Sequence, residues 1–190
     1  MYISRIAKVL NGMEKERKRV KAVSMSGVVK AAVLVPVFEN LNSNGDIKNI
    51  FIVFTKRTES VRDHKGQISF PGGVSEGDET PEETALRETE EELGIKRDSI
   101  TLLGLLDDII TITGYIVTPV VGELKNLNFK PNRDEVENIL VFSIEDIINA
   151  KYHEEYWRWE FHINETVVWG ATARILKSFL QLCFPEWRKK

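Results

Sequence analysis

Residues 73–95 read GVSEGDETPEETALRETEEELGI, and within them Glu88, Glu91 and Glu92 fall on one side of a single predicted helix. Like charges three and four residues apart destabilise a helix by roughly 0.2–0.5 kcal/mol per pair, and carboxylates near its C-terminus oppose the macrodipole. Such a cluster asks for a positive partner. Hard oxygen ligands suit Mg²⁺ or Mn²⁺, and Mg²⁺ usually takes one or two protein carboxylates and leaves its other positions to water and substrate phosphates. The substrate expected from this spacing therefore carries phosphate.

The helix is well delimited. Thr80 suits the N-cap, Pro81 the first helical position, and Glu83 completes a capping box, while Gly94 suits the left-handed residue that ends the helix. Ala85, Leu86, Thr89 and Leu93 fall on one stripe that is expected to face the core, turning Glu88, Glu91 and Glu92 to the other side. Arg87, beside Glu88 and four residues before Glu91, is placed to hold a carboxylate by a charge-assisted bond. Alone, the cluster reads equally well as an acidic surface helix. The preceding turn, Phe70-Pro71-Gly72-Gly73, shifts the reading toward a site, because a rigid bend with two glycines lets backbone groups approach a ligand closely.

At 190 residues, 42% hydrophobic and 29% charged, the chain has the balance of one globular domain with an appendage. A formal net charge of -3 gives no whole-chain signal for nucleic acid or a membrane surface, so neither is an expected partner. The single cysteine, Cys183, fits a reducing compartment, and cytoplasmic is the default expectation. The first twenty residues lack the apolar stretch of a signal peptide, and the longest apolar run, residues 31–38, is far below a membrane span.

Residues 2–21 read as an N-terminal helix whose basic run, Lys15, Arg17, Lys18, Arg19 and Lys21, is taken as a solvated face interleaved with Glu14 and Glu16. The expected division is a helical extension over residues 1–26 and a catalytic domain over 27–190. Residues 30–38 and 49–55 predict an antiparallel strand pair around the turn at 42–46, followed by a polar loop over 56–73. Further strands are expected at 101–106 and 114–123, the latter at an edge or broken near Pro119, because a central strand cannot easily spare a backbone donor. A strand ending at Val141-Phe142, a short helix over 144–150, a hairpin around Asn164-Glu165 and a last helix over 171–183 complete a mixed sheet between helices.

Gly73, Glu79, Arg87, Glu88, Glu91, Glu92, Gly94 and Ile95 stand in the register G-x5-E-x7-R-E-U-x-E-E-x-G-U, so the chain resembles the Nudix hydrolases; Thr89 at a U position is the one departure. The resemblance implies an α/β/α sandwich, a requirement for Mg²⁺ or Mn²⁺, and hydrolysis of a nucleoside diphosphate linked to another group. It implies Glu88, Glu91, Glu92 and the Gly72 carbonyl as metal ligands, Arg87 as the residue that orients Glu88, and Glu79 in support. Catalytic roles fall on Arg87, Glu88 and Glu91. The general base is Glu88 or a later carboxylate, with Glu135 and Glu137 as candidates.

Residues 53–73, VFTKRTESVRDHKGQISFPGG, resemble the extra signature of coenzyme A pyrophosphatases in that family, L-L-T-x-R-[SA]-x3-R-x3-G-x3-F-P-G-G, with Val53, Phe54 and Thr58 as departures. Trp169-Gly170-Ala171-Thr172-Ala173 is similar to the segment that opens the last helix of those enzymes. The implied substrate is coenzyme A or an acyl or oxidised form, bound by Arg57, Arg62, Gly72 and Gly73. His64, Lys65 and Gln67 stand nearby with weaker claims. The rival readings are a Nudix hydrolase for ADP-ribose or another nucleoside diphosphate derivative, and a nucleotide-sensing module that binds without cleaving. Tyr152, Tyr156, Trp157, Trp159 and Phe161 read as packing of a hairpin, in the core or across a homodimer, ahead of a pocket for adenine or the pantetheine arm.

Overall fold

The computed structural model describes residues 2–19, 28–41, 47–58, 66–156 and 158–189. The expected first pair forms as β1 (Val29–Leu41) and β2 (Ile47–Arg57), antiparallel, with the turn at 42–46 outside the described residues. Along β1, Ala31, Val33, Val35 and Val37 join one apolar core, while Ala32 and Leu34 join another on the opposite face. A strand covered on both faces reads as a nearly continuous apolar run, which is why this segment does.

Helices supply both covers. The larger core takes Ile3, Ile6 and Leu10 from α1 (Tyr2–Met13), Ile147 from α3 (Ile144–Asn149), and Ile175, Leu176, Phe179 and Leu180 from α4 (Gly170–Cys183). The smaller core takes Ala85 and Leu93 from α2 (Pro81–Leu93), packed with Leu34, Val53 and Val120. The mixed sheet between helices is thus the observed architecture. No helix among the described residues is long and apolar enough to cross a membrane.

The segment expected as a polar loop over 56–73 is partly built into the sheet. It contributes the end of β2 and two short strands, β3 (Ile68–Ser69), paired with β2, and β4 (Gly72–Val74), paired with β1. The remaining strands are β5 (Ile100–Leu105), β6 (Ile109–Ile110), β7 (Tyr115–Leu124), β8 (Val136–Ser143), β9 (Lys151–Glu155), β10 (Arg158–Ile163) and β11 (Thr166–Trp169). The last three form a separate sheet ordered β11-β10-β9. Phe161 is buried and packs on Tyr152 at 4.7 Å, so those two aromatics serve the core; Tyr156 is exposed at the hairpin tip.

Pro119 corrects an expectation. Its strand, β7, lies inside the sheet, parallel to β1 on one side and antiparallel to β5 and β6 on the other. On that second side β6 pairs as far as Val117 and β5 resumes at Val120, while the Pro119 carbonyl accepts from the Leu106 amide at 2.9 Å. The amide and carbonyl of a strand residue point the same way, so the missing donor falls where one neighbour hands over to the next. Pro36 sits in a similar gap, between the β4 pairing at residues 31–33 and the β2 pairing that begins at Val37.

The N-terminal helix is also shorter than expected, ending at Met13. Arg17 is not on a solvated face. Its Nη2 meets Asp108 Oδ1 at 2.8 Å and its Nε donates to the Leu106 carbonyl at 2.6 Å, with only 5% and 7% of the two charged side chains exposed. Thr118 Oγ1 donates to the same Asp108 oxygen at 2.8 Å. Beyond Met13 the chain turns through residues 14–16, and the buried Arg17 guanidinium is tied by its two partners to the segment at Leu106 and Asp108.

Removing one partner from a buried ion pair leaves the other charge uncompensated, typically at about 3–5 kcal/mol. Asp108→Ala is expected to lose stability of that order in urea unfolding, and a loss below ~1 kcal/mol would contradict the buried pairing.

Candidate functional site

The loop before α2 and the helix itself are joined through one guanidinium. Arg87 Nε and Nη2 donate to the two oxygens of Glu79 at 2.8 and 3.1 Å, Nη2 also reaches the Val74 carbonyl at 3.0 Å, and Nη1 is shared by Glu88 at 2.8 Å and Glu91 at 3.1 Å. Glu79 further accepts from the Glu76 amide and the Thr84 hydroxyl, each at 3.0 Å. The Arg87 bond, followed by these others, holds the Glu79 pKa down at about 2. Glu79 is therefore an anionic anchor of the loop at any ordinary pH.

The helix is in place because its ends are specified locally. The Thr80 hydroxyl accepts from the Glu83 amide at 3.2 Å, the Glu83 carboxylate accepts from the Thr80 amide at 2.8 Å, and Gly94 closes the helix at φ +68. A Cβ on Gly94 would lie 2.6 Å from the Lys130 carbonyl oxygen, so glycine is required there on two counts.

Glu88 and Glu92 are drawn inward. A Cβ on Gly73 would lie 2.4 Å from Glu88 Oε1, so the missing side chain at 73 is the space that Glu88 occupies. Burial pushes the Glu88 carboxyl upward, against the opposing bond from Arg87. Glu92 is only 3% exposed, which corrects the expectation that it faces away from the core. Burial raises its pKa to about 8; the charge of Arg57 and the Gly72 amide oppose this, while Glu88 and Glu135 reinforce it. Arg57 Nη1 approaches Glu92 Oε1 at 3.7 Å, yet Glu92 Oε2 and Arg57 Nε are buried with no hydrogen-bond partner among the described residues.

Glu91 points outward, its side chain 55% exposed and tied to Arg87. Among the described residues no group of three or more Asp, Glu, His or Cys side chains is already gathered closely enough to hold a metal ion. The donor set still fits a hard divalent cation. It consists of oxygen atoms, and an orphaned buried carboxylate oxygen at Glu92 is the kind of group that a cation satisfies.

Arg57 lies beside the acidic helix, while Arg62, His64 and Lys65 lie outside the described residues. Gly72, at φ +155, packs against β1, where a Cβ would meet the Ala32 carbonyl at 2.3 Å. Of the two later carboxylates, Glu135 bears on Glu88 and Glu92 by its charge and accepts from Asn132 Nδ2 at 3.0 Å, whereas Glu137 is paired with Lys56 at 2.9 Å. Sequence reading missed a link from Thr58 to the Asp134 carbonyl, 76 residues away, for which no local pattern exists. Two open clefts of about 430 and 600 Å³ border Asn149 and Ala150 instead, and neither is lined by α2 or the Gly72-Gly73 turn.

Comparison with known proteins agrees with this architecture. The model of the NUDIX domain family matches residues 30–162. A protein described as an uncharacterized Nudix hydrolase, NudL, from Citrobacter koseri is 33% identical over 159 residues, covering 78% of this chain and 79% of its own length. Its counterpart in Pectobacterium atrosepticum is 32% identical over 161 residues, covering 77% and 79%. Among solved structures, a MutT/nudix family protein from Enterococcus faecalis superposes with a TM-score of 0.52 at 14% identity, covering 95% of this chain and 71% of that one. The Nudix hydrolase RenU from M. smegmatis gives 0.50 at 22% identity, covering 63% and 73%. The chain belongs to the Nudix hydrolase family.

Because the Glu92 pKa rises from 4.5 to about 8 on folding, its contribution to stability is complete below about pH 4.5 and is lost as pH rises through 8. In EDTA the unfolding free energy is expected to fall over this range with a slope approaching ~1.4 kcal/mol per pH unit. Glu92→Gln should flatten that slope; an unchanged slope in the variant would show that Glu92 does not cause it.

Proposed function

We propose that this Nudix hydrolase cleaves the pyrophosphate bond of coenzyme A, or of an acyl or oxidised derivative, to 3′,5′-ADP and a 4′-phosphopantetheine product. The observation that carries the reading is the approach of Arg57 Nη1 to Glu92 at 3.7 Å. Arg57 is the first arginine of the signature over residues 53–73 and Glu92 is the last carboxylate of the box, so the substrate-selecting and acidic segments meet at one place.

In this reading Glu88, Glu91, Glu92 and the Gly72 carbonyl hold Mg²⁺ or Mn²⁺. When bound, such a cation lowers the pKa of water and offsets charge on phosphoryl oxygens. The remaining work belongs to the chain. Arg87 aligns Glu88 and Glu91 on one side and Glu79 on the other, tying the acidic helix to its loop. Arg57 supplies a guanidinium for the substrate's anionic groups, and Arg62 takes the same role by its spacing in the signature. Glu135 is favoured over Glu137 as general base, since the Lys56 ion pair neutralises Glu137 while Glu135 bears on the carboxylates themselves.

The purified protein, supplied with Mg²⁺ or Mn²⁺, is to be offered coenzyme A, ADP-ribose, dinucleoside polyphosphates and oxidised dNTPs, with products separated by chromatography. Coenzyme A is expected to be the preferred substrate; faster turnover of ADP-ribose would overturn the substrate assignment and leave the family intact. Binding of coenzyme A without any product would instead favour a sensing module.

Glu91→Gln removes an exposed carboxylate with little change of volume and is expected to cut turnover roughly 100-fold or more while the melting temperature holds. Near-normal turnover would refute its role. Arg57→Ala should raise KM for coenzyme A by about tenfold, the order lost with one charge-assisted hydrogen bond.

A further inference from the structure

β2 and β8 lose their regular register between Lys56 and Arg57, where Lys56 pairs with Asn138 and Arg57 with Val136, leaving Glu137 as an extra residue on β8. Such a bulge bends the strand and re-aims the side chains beside it. Past the bulge, a single ladder pair, Arg57 with Val136, remains. Thr58 extends the link beyond it. Its amide donates to the Glu135 carbonyl at 3.0 Å and its hydroxyl donates to the Asp134 carbonyl at 2.9 Å.

The turn that Thr58 grips is stiffened from within. The Asp134 amide donates to Asn132 Oδ1 at 3.2 Å, the Val136 amide to the Asn132 carbonyl at 2.8 Å, and Asn132 Nδ2 to Glu135 Oε1 at 3.0 Å. Its other end is docked on the acidic helix, where the Asn132 amide donates to the Glu92 carbonyl at 3.0 Å. The turn therefore hangs between two supports, α2 through Asn132 and β2 through Thr58. Arg57, next to Thr58, reaches the same Glu92 by its side chain. Three groups, Arg57, Glu92 and Glu135, thus share one short circuit of bonds in which Asn132 and Thr58 are the links without charge.

We propose that Thr58 is a positioning residue: by holding the Asp134 and Glu135 backbone to the end of β2, it sets the Glu135 carboxylate against the acidic helix and fixes it relative to Arg57. The inference rests on Glu135 acting as the general base of the proposed hydrolysis. It assigns Thr58 a part in kcat through Glu135, separate from any part in substrate binding. A hydroxyl that served packing alone would change stability, and its loss would multiply with any other active-site substitution.

The test compares wild type, Thr58→Val, Thr58→Ser, Glu135→Gln and the Thr58→Val/Glu135→Gln double variant as full chains, with coenzyme A and Mg²⁺. Thr58→Val keeps the shape and the backbone bond but loses the hydroxyl donor. It is expected to lower kcat about three- to tenfold with KM changed less than ~twofold, as for one lost hydrogen bond, and Thr58→Ser should restore kcat to within ~twofold. In the Glu135→Gln background the same substitution should cost less than ~twofold further, because the two act as one unit. An unchanged kcat in Thr58→Val, a full multiplicative loss in the double variant, or a Glu135→Gln enzyme as fast as wild type would each overturn the proposal. Should Thr58→Val not fold, Thr58→Ala carries the same expectation. If wild type cleaves another diphosphate in place of coenzyme A, the substrate reading falls and the comparison is made on that compound.

Discussion

The guanidinium of Arg87 donates to Glu79, Glu88, Glu91 and the Val74 carbonyl at once, and the rest of the site is organised around that fork. Glu79 and Val74 belong to the loop, Glu88 and Glu91 to the helix, so a single planar cation fixes one against the other. A lysine in its place would offer one charge without the fixed geometry of five donors. The same pairing makes the local charge tolerable. Burial raises the pKa of both Glu88 and Glu92, and it is opposed by Arg87 at Glu88 and by Arg57 together with the Gly72 amide at Glu92. The acidic helix is stable because its repulsion is spread over cations drawn from different parts of the chain.

Those cations arrive together because of how the sheet is interrupted. The neighbours of β1 on one side change across Pro36, and those of β7 change across Pro119. The first handover brings β4, with Gly72 and Gly73, beside β1, and β4 delivers the two glycines under α2. The bulge between Lys56 and Arg57 breaks the β2–β8 ladder near the same place. The handover at Pro36 admits the Gly72-Gly73 strand, and the bulge at Arg57 is where the arginine meets the 132–136 turn.

Much of this was legible in the chain. The capping box at Thr80 and Glu83 and the left-handed Gly94 are local rules, so both ends of α2 fall where the sequence puts them. The strand pair β1 and β2, the hairpin of β10 and β11, and α4 follow from apolar periodicity. Pairing between distant segments left less trace. β3 and β4 are too short to show a period, Pro119 is acceptable only because of which neighbours flank it, and Arg17 looks like any basic residue until Asp108 lies beside it.

By itself the sequence determined the acidic helix, its caps and the register of Gly73, Glu79, Arg87, Glu88, Glu91 and Glu92, because each depends on residues within one or two turns of one another. Only the tertiary structure decided that Glu92 is buried beside Arg57, that Glu91 turns outward, and that Thr58 and Asn132 suspend the turn bearing Glu135. Burial and long-range hydrogen bonding are properties of how separate segments pack. They set the charge state of a carboxylate whose spacing the helix alone had already established.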